Sequence, residues 1–391
     1  MTADAYIVEP VRTAGGRRNG RLANWHPADL AAEVLNAVVD RSGIDPAAVQ
    51  DVILGCVTQA GEQSFAFARN AVLASKLPES VPAVTIDRQC GSSQQAVQFA
   101  AQSIMSGTQD VVIAAGAESM TRVPMFSNLT LHQKAEIGTG PVSDRIKTRY
   151  GVEEFSQFLG AEMLAKKYRL DRESLDRYAL QSHQRAAAAA RSGAFSKEIV
   201  PIAVTTQDGV ISHEQDEGIR FDATLESISA VKLLREGGVI SAANASQICD
   251  GASAALIVSE RALKRYSLKP LARIQTFIVT AGDPVIMLEE PIRATRLALQ
   301  RAGVRIDDID LYEVNEAFAS VPLAWLQALE ADPSKLNVNG GAIALGHPLG
   351  SSGTKLMATL VHALRARNKR YGLQTMCEGG GMANVTVYEA L

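Results

Sequence analysis

The chain has 391 residues, 47% of them apolar and 21% charged, with a formal net charge of −3. That length exceeds one ordinary hydrophobic core and implies two or three packed domains. The net charge gives no argument for a nucleic-acid partner, though local basic spots could meet a phosphorylated small molecule, no apolar run reaches the ~18 residues that a membrane span needs, and four cysteines without a Cys-x-x-Cys pair make neither a disulfide framework nor a zinc site.

Residues 1–10 lack the basic start and apolar run of a secretory leader, so a cytoplasmic chain with free thiols is expected. Residues 30–38 place apolar side chains at helical spacing, Ser42-Gly43-Ile44-Asp45 ends that helix, and residues 49–54 read as a strand. A β-like run at 83–86 leads to Cys90, after which Gly91-Ser92-Ser93 opens a helix. Residues 111–115 form a strand running into Gly116. The stretch 118–248 begins with a polar, irregular segment at 127–149 and contains a helix through 186–190 directed to a C-cap near Gly193.

The pattern of the first quarter then returns. Residues 294–299 are helical, Ala302-Gly303-Val304 closes the helix, and residues 309–314 form a strand. Gly43 and Gly303 stand about 260 positions apart, and nearly the same offset relates Gly91-Ser92-Ser93 to Gly350-Ser351-Ser352 and Gly116 to Cys377. The expected fold is α/β with two duplicated halves and a large insertion that covers a site. The boundaries are 1–117 with 249–270 for the first half, 118–248 for the inserted cap and 271–391 for the second half.

Four segments carry side chains suited to chemistry. Cys90 sits on a strand-to-helix turn, where free N–H groups favour an anion and lower a thiol pKa. A small buried cysteine is the competing reading, and the residues alone do not separate the two. The glycine-rich run 339–353 holds one histidine, His347, between Gly346 and Pro348. By the repeat it is the counterpart of the Cys90 turn, so two symmetric turns meet at one cleft, where an imidazole serves as base, acid or donor. Cys377 precedes Gly379-Gly380-Gly381, whose backbone N–H groups suit a substrate oxygen. Asn315-Glu316-Ala317-Phe318 follows a strand, and its asparagine suits holding a water. Cys56 and Cys249 read as core, and Trp25 and Trp325 as packing.

Taken together, Cys90-Gly91-Ser92-Ser93, Asn315-Glu316-Ala317-Phe318, Gly346-His347-Pro348 with Gly350 and Gly353, and Cys377-x-Gly379-Gly380-Gly381 resemble the thiolases in order and spacing, over essentially the whole chain. The resemblance implies a five-layered αβαβα architecture. It implies cleavage of 3-ketoacyl-CoA by free CoA, or the reverse Claisen condensation. Cys90 would accept the acyl group as a thioester, His347 would take its proton, and Cys377 would exchange the proton of the acetyl α-carbon. His347 with a water on Asn315 would form one oxyanion hole, and the N–H groups of Cys90 and Gly379 the other. Arg220, Ser227 and Ser246 fall in segments resembling the family's CoA-binding stretches. CoA would be a co-substrate, with no permanent cofactor and no metal. A homodimer or homotetramer is implied, with room for a β-oxidation complex partner.

Two stretches depart from the family pattern. A segment often bearing a histidine reads Ser156-Gln157-Phe158-Leu159-Gly160-Ala161-Glu162, and a Met-Gly-x-Gly-Pro stretch reads Met287-Leu288-Glu289-Glu290-Pro291. Both lie where acyl specificity would be set and favour a degradative thiolase over a biosynthetic acetoacetyl-CoA thiolase. A non-catalytic thiolase-like protein would be expected to lack a catalytic residue, and ketoacyl synthases use two histidines where this chain has Cys377.

Overall fold

The computed structural model describes residues 4–391, so the first three residues of the stretch read for a leader lie outside it. The N-terminal half contributes strands β1 (Ala5–Thr13), β2 (Asp51–Gly55), β3 (Ala83–Ile86), β4 (Val111–Ser119) and β5 (Cys249–Ser259), with helices α1 (Pro27–Ser42), α2 (Phe67–Ala74) and α3 (Ser92–Met105). Between β4 and β5 lies the cap, built around α4 (Gln157–Lys167), α5 (Arg172–Arg191) and α6 (Leu225–Ser229). The C-terminal half contributes β6 (Ala272–Ala281), β7 (Leu311–Val314), β8 (Tyr371–Glu378) and β9 (Met382–Ala390), with α7 (Glu290–Ala302), α8 (Ser320–Leu329) and α9 (Ser352–Ala366).

The main path of the eleven-stranded sheet runs β7-β8-β9-β6-β1-β5-β4-β2-β3. Its seam is the antiparallel β1–β6 pair, Tyr6 opposite Arg273 and Ile7 opposite Ala272. Outward from that seam the halves repeat one pattern of antiparallel, antiparallel and then parallel pairs. β3 pairs in parallel with β2, and a bridge from Leu336 to Tyr312 takes the matching place beside β7. Gly43 and Gly303 close α1 and α7 in the left-handed region, at φ 70° and 68°, a conformation that glycine adopts without steric cost.

Alternation along the strands builds the layers. On β4, Val111, Ile113 and Ala115 pack with Leu35 and Val38 of α1 and Phe67 of α2, on the outer face. Val112 and Ala114 point the other way, into a core shared with Val97 and Ile104 of α3 and Met357 and Leu360 of α9. In the second half Leu373, Val385 and Val387 meet Ile292 of α7 and Trp325 of α8, while Leu311 and Tyr388 join the central core. The order is therefore helix, sheet, the central pair α3 and α9, sheet, helix.

Within residues 127–149, expected to be irregular, the structure has two short helices, Ser127–Ala135 and Asp144–Tyr150. Neither buries a residue. Their turns close through local hydrogen bonds, so no apolar stripe announces them.

Candidate active site

Cys90 stands four residues beyond the end of β3, on a tight turn. Gln89 takes φ 47°. The Ser92 hydroxyl accepts from the Arg88 N–H at 2.9 Å and donates to the Gln89 carbonyl at 2.6 Å, which ties the turn to the first residue of α3. A Cβ on Gly91 would overlap the Glu378 carboxyl, so the turn can approach β8 only with glycine here.

His347 stands just before the matching helix start. A Cβ on Gly353 would overlap the backbone nitrogen of Gln94, and the Thr354 N–H donates to the Ser93 hydroxyl at 3.0 Å. The first turns of α3 and α9 thus abut, with Cys90 just upstream of one and His347 just upstream of the other. His347 is 3% exposed. Its Nδ1 lies 2.5 Å from the Ser352 hydroxyl, which itself donates to the Pro348 carbonyl at 2.8 Å. The hydroxyl therefore accepts from Nδ1–H, and Nε2 keeps its lone pair, towards which the Asn315 amide nitrogen points at 3.3 Å. Burial first, and the charge of Lys355 second, lower the imidazole pKa to about 3. At neutral pH His347 is an uncharged base.

Cys377 ends β8 and is 1% exposed. Burial, then the nearby Cys90 and Glu378, hold its thiol well above the usual range. Burial and the charge of Glu378 push Cys90 up to about 12. The helix start was expected to lower this pKa. Desolvation beside acidic Glu378, Asp87 and Glu118 outweighs it. Cys90 is a protonated thiol at rest, and its proton has to leave as the sulfur attacks.

The three glycines 379–381 form the turn between β8 and β9, with Gly380 and Gly381 at φ 83° and 76°. A Cβ on Gly379 would lie 2.7 Å from the Gln89 side-chain oxygen, so this turn is pressed onto the Cys90 turn. A cavity of about 60 Å³ opens here, lined by Cys90, Gly379, Val57 and Leu349, with Met125 and Leu129 from the cap.

Asn315 follows β7, buried, and its side-chain oxygen has no protein partner. Its neighbour Glu316 fastens the cap. The Glu316 carboxyl accepts from the Tyr178 and Ser182 hydroxyls of α5 at 2.9 and 2.7 Å, from Asn337 at 3.0 Å and from the Ile343 N–H at 3.0 Å. Ser246 is half-buried and donates its N–H to Ala317 at 2.9 Å, and the Gln247 carbonyl accepts from the His347 N–H at 3.0 Å. Arg220 is exposed on the cap. Ser227 is exposed too, but its hydroxyl closes a capping box with Thr224 at the start of α6.

A second cavity, of about 450 Å³, lies in the cap between Phe158, Leu159 and Glu162 of α4 and Leu234, Arg235 and Ile240. Phe158 meets Phe318 edge to face at 5.7 Å. The two stretches that depart from the family pattern touch: a Cβ on Gly160 would lie 3.5 Å from the Met287 Cβ, and just beyond the first stretch Lys167 and Tyr168 both reach Glu289 at 2.7 Å.

Several site residues were not singled out in the sequence. Glu118 accepts from the Val57, Thr58 and Gly350 N–H groups, all at 2.9 Å, and so joins the loop lining the Cys90 cavity to the turn after His347. Nothing in a lone buried glutamate at a strand end announces that role. Ser352 was read only as part of a helix start; Glu378 was the unassigned position of its motif. Among the described residues no group of three or more His, Cys, Asp or Glu is placed to hold a metal, and no helix is long and apolar enough to cross a membrane.

Residues 5–261 match the family described as the N-terminal domain of thiolase, and residues 268–390 match its C-terminal domain. A steroid 3-ketoacyl-CoA thiolase of Mycobacterium tuberculosis is 52% identical, the match covering 100% of this chain and 95% of that protein. A 3-ketoacyl-CoA thiolase of Bacillus subtilis is 39% identical over 99% of both. The crystal structures of human mitochondrial 3-ketoacyl-CoA thiolase and of the Bacillus anthracis acetyl-CoA acetyltransferase superpose with TM-scores of 0.89 and 0.90. Each is 36% identical, and each match covers 100% of this chain and 99% of the other.

Proposed function

The chain belongs to the thiolase family and is an acyltransferase, and from that premise we propose that it cleaves 3-ketoacyl-CoA with CoA, giving acetyl-CoA and a shortened acyl-CoA in lipid β-oxidation. The observation that supports this reading is the meeting of the two helix starts, with Cys90 upstream of one and near Cys377, and His347 upstream of the other.

The Cys90 sulfur attacks the 3-keto carbonyl while its proton passes to Nε2 of His347. The tetrahedral oxyanion collapses, the carbon–carbon bond breaks, and the departing acetyl-CoA carbanion takes the proton of Cys377. The Cys377 thiolate then takes the proton of an incoming CoA thiol. The CoA sulfur attacks the acyl-Cys90 thioester, and Cys90 leaves and recovers its proton from His347. The N–H groups of Cys90 and Gly379 face one developing oxyanion, and His347 with a water on Asn315 the other. Arg220, Ser246 and Ser227 are the proposed CoA contacts, and no permanent cofactor or metal enters the scheme.

The degradative direction draws support from the 52% identity to a protein named a steroid 3-ketoacyl-CoA thiolase. The likeness to the acetyl-CoA acetyltransferase structure keeps condensation of acetyl units as the second reading. We place the enzyme in the cytoplasm as a homodimer or homotetramer. The edge strand β3, with Val84 46% exposed, is a border suited to pairing with a second copy. A β-oxidation complex partner would bind elsewhere.

The test is CoA-dependent thiolysis across 3-ketoacyl-CoAs from acetoacetyl to steroid-derived substrates, with Cys90→Ala beside the wild type. Turnover of the longer or bulkier substrates, lost in the variant, is expected. Turnover of acetoacetyl-CoA alone selects the second reading. Turnover that survives Cys90→Ala, or none at all, overturns the mechanism.

A further inference from the structure

Behind His347 lies a buried group of four charges. Lys355, on α9 one turn after Ser352, is 4% exposed. Its ammonium donates to the Leu345 carbonyl at 2.5 Å and the Gly346 carbonyl at 2.9 Å, the two residues immediately before His347. The lysine reaches them under a tightly packed stretch. Gly346 has φ 78°, and a Cβ there would lie 2.6 Å from the Cys249 sulfur. A Cβ on Gly15 would lie 2.7 Å from the Leu345 carbonyl oxygen and 3.3 Å from an Asp216 oxygen.

A lone buried ammonium is unfavourable, and here it is balanced. Arg12 of β1, 0% exposed, donates to Asp216 at 2.8 and 3.1 Å and to Glu198 at 2.6 Å. Asp216 also accepts the Gly15 N–H at 2.8 Å, and Glu198 accepts the hydroxyl of Thr359, one turn beyond Lys355, at 2.9 Å. Both acids come from the cap and both cations from the halves. Two positive and two negative charges are thereby closed away from water, next to the catalytic loop.

We propose that Lys355 is a positioning residue for the reaction: anchored in this balanced cluster, it clamps the carbonyls of Leu345 and Gly346 and fixes where His347 sits. The groups facing His347 agree with that role. Asn315 comes from the end of β7, Ser352 and Lys355 from α9, and Cys249 from β5 behind Gly346. Asp216, Glu198 and Arg12 act at one remove through Lys355, and Glu118 holds the Gly350 N–H beyond Pro348. After burial itself, the charge of Lys355 opposes protonation of the imidazole.

This inference rests on the thiolase reading for its kinetic test, so a second readout is independent of turnover. In Lys355→Met the imidazole gains a proton more readily, and a cation beside the thiol stabilises thiolate. We expect labelling of Cys90 by iodoacetamide at pH 6 to become about threefold or more faster, while kcat for thiolysis at the same pH falls about tenfold with KM within about twofold. The acid limb of the kcat profile moves to higher pH, and Lys355→Arg restores both readouts. A chain carrying Lys355→Met with Asp216→Asn keeps the buried charge balanced and supplies the measurement if the single variant does not fold. An unmoved acid limb with unchanged labelling overturns the proposal, as does an arginine variant that behaves like the methionine one. Absence of thiolysis in the wild type would sink the functional reading and leave the labelling comparison to decide the role of Lys355.

Discussion

His347 Nδ1 and the Ser352 hydroxyl oxygen lie 2.5 Å apart, and that hydroxyl has already committed its own proton to the Pro348 carbonyl. One serine thus fixes the tautomer of His347 and leaves its Nε2 lone pair on the side of Asn315. Replacing Ser352 by alanine removes the acceptor and lets the ring turn. The expected result is a fall in kcat of about 10- to 100-fold with KM little changed. Steady-state thiolysis checks it; an unchanged kcat would remove Ser352 from the mechanism.

Asn315 directs its amide at His347 from 3.3 Å and keeps its side-chain oxygen buried without a protein partner. If Asn315 belongs to the proposed oxyanion hole, Asn315→Ala lowers kcat by about 10²–10³-fold. Trapping the acyl-enzyme on Cys90 by mass spectrometry, with CoA withheld, should show slower acylation in the variant. Equal acylation rates would place Asn315 outside the hole.

Glu316 is the joint between the cap and the C-terminal half, with four hydrogen bonds to its carboxyl. Truncation to alanine leaves four buried donors without their acceptor and should destabilise the fold by about 3 kcal/mol. Urea denaturation reads the difference. A loss within about 0.5 kcal/mol, the usual effect of a surface change, would show that the cap is held by other contacts.

Glu378 is buried with neither oxygen bonded to a protein partner, and burial lifts its carboxyl well above the ordinary range. A folded-state pKa raised above the unfolded one means that the folded chain holds the extra proton between those values. Stability therefore falls as pH rises through that window. Glu378→Gln, which cannot ionise, should gain thermal stability relative to the wild type at pH 8 and not at pH 4. Melting curves at both values decide, and a difference independent of pH would mean the carboxyl does not change charge in that range.

Much of this protein was legible before any coordinates. The duplication could be read because each half repeats a helix ended by glycine, Gly43 or Gly303, before a strand. The repeat also paired the Gly91 turn with the Gly350 turn, and α3 and α9 do meet at Gly353 and Gln94. The helices at 127–135 and 144–150 were not legible, because neither buries a face. The thiol of Cys90 was misjudged because a helix start can be seen in sequence, whereas the desolvation that overrides it cannot.

The amino-acid sequence by itself determined the α/β class, the repeated helix–glycine–strand pattern, and the segments bearing Cys90, Asn315, His347 and Cys377. These features are local: periodicity, glycine at turns and the order of motifs are properties of neighbouring residues. Only the tertiary structure decided which charges surround those side chains. Glu118 reaches Gly350, Arg12 reaches Asp216, and Glu378 lies against Gly91, each across more than 200 positions of chain. A pKa, a tautomer and a clamp on a loop depend on burial and on such distant partners, so they appear when the layers close and not before.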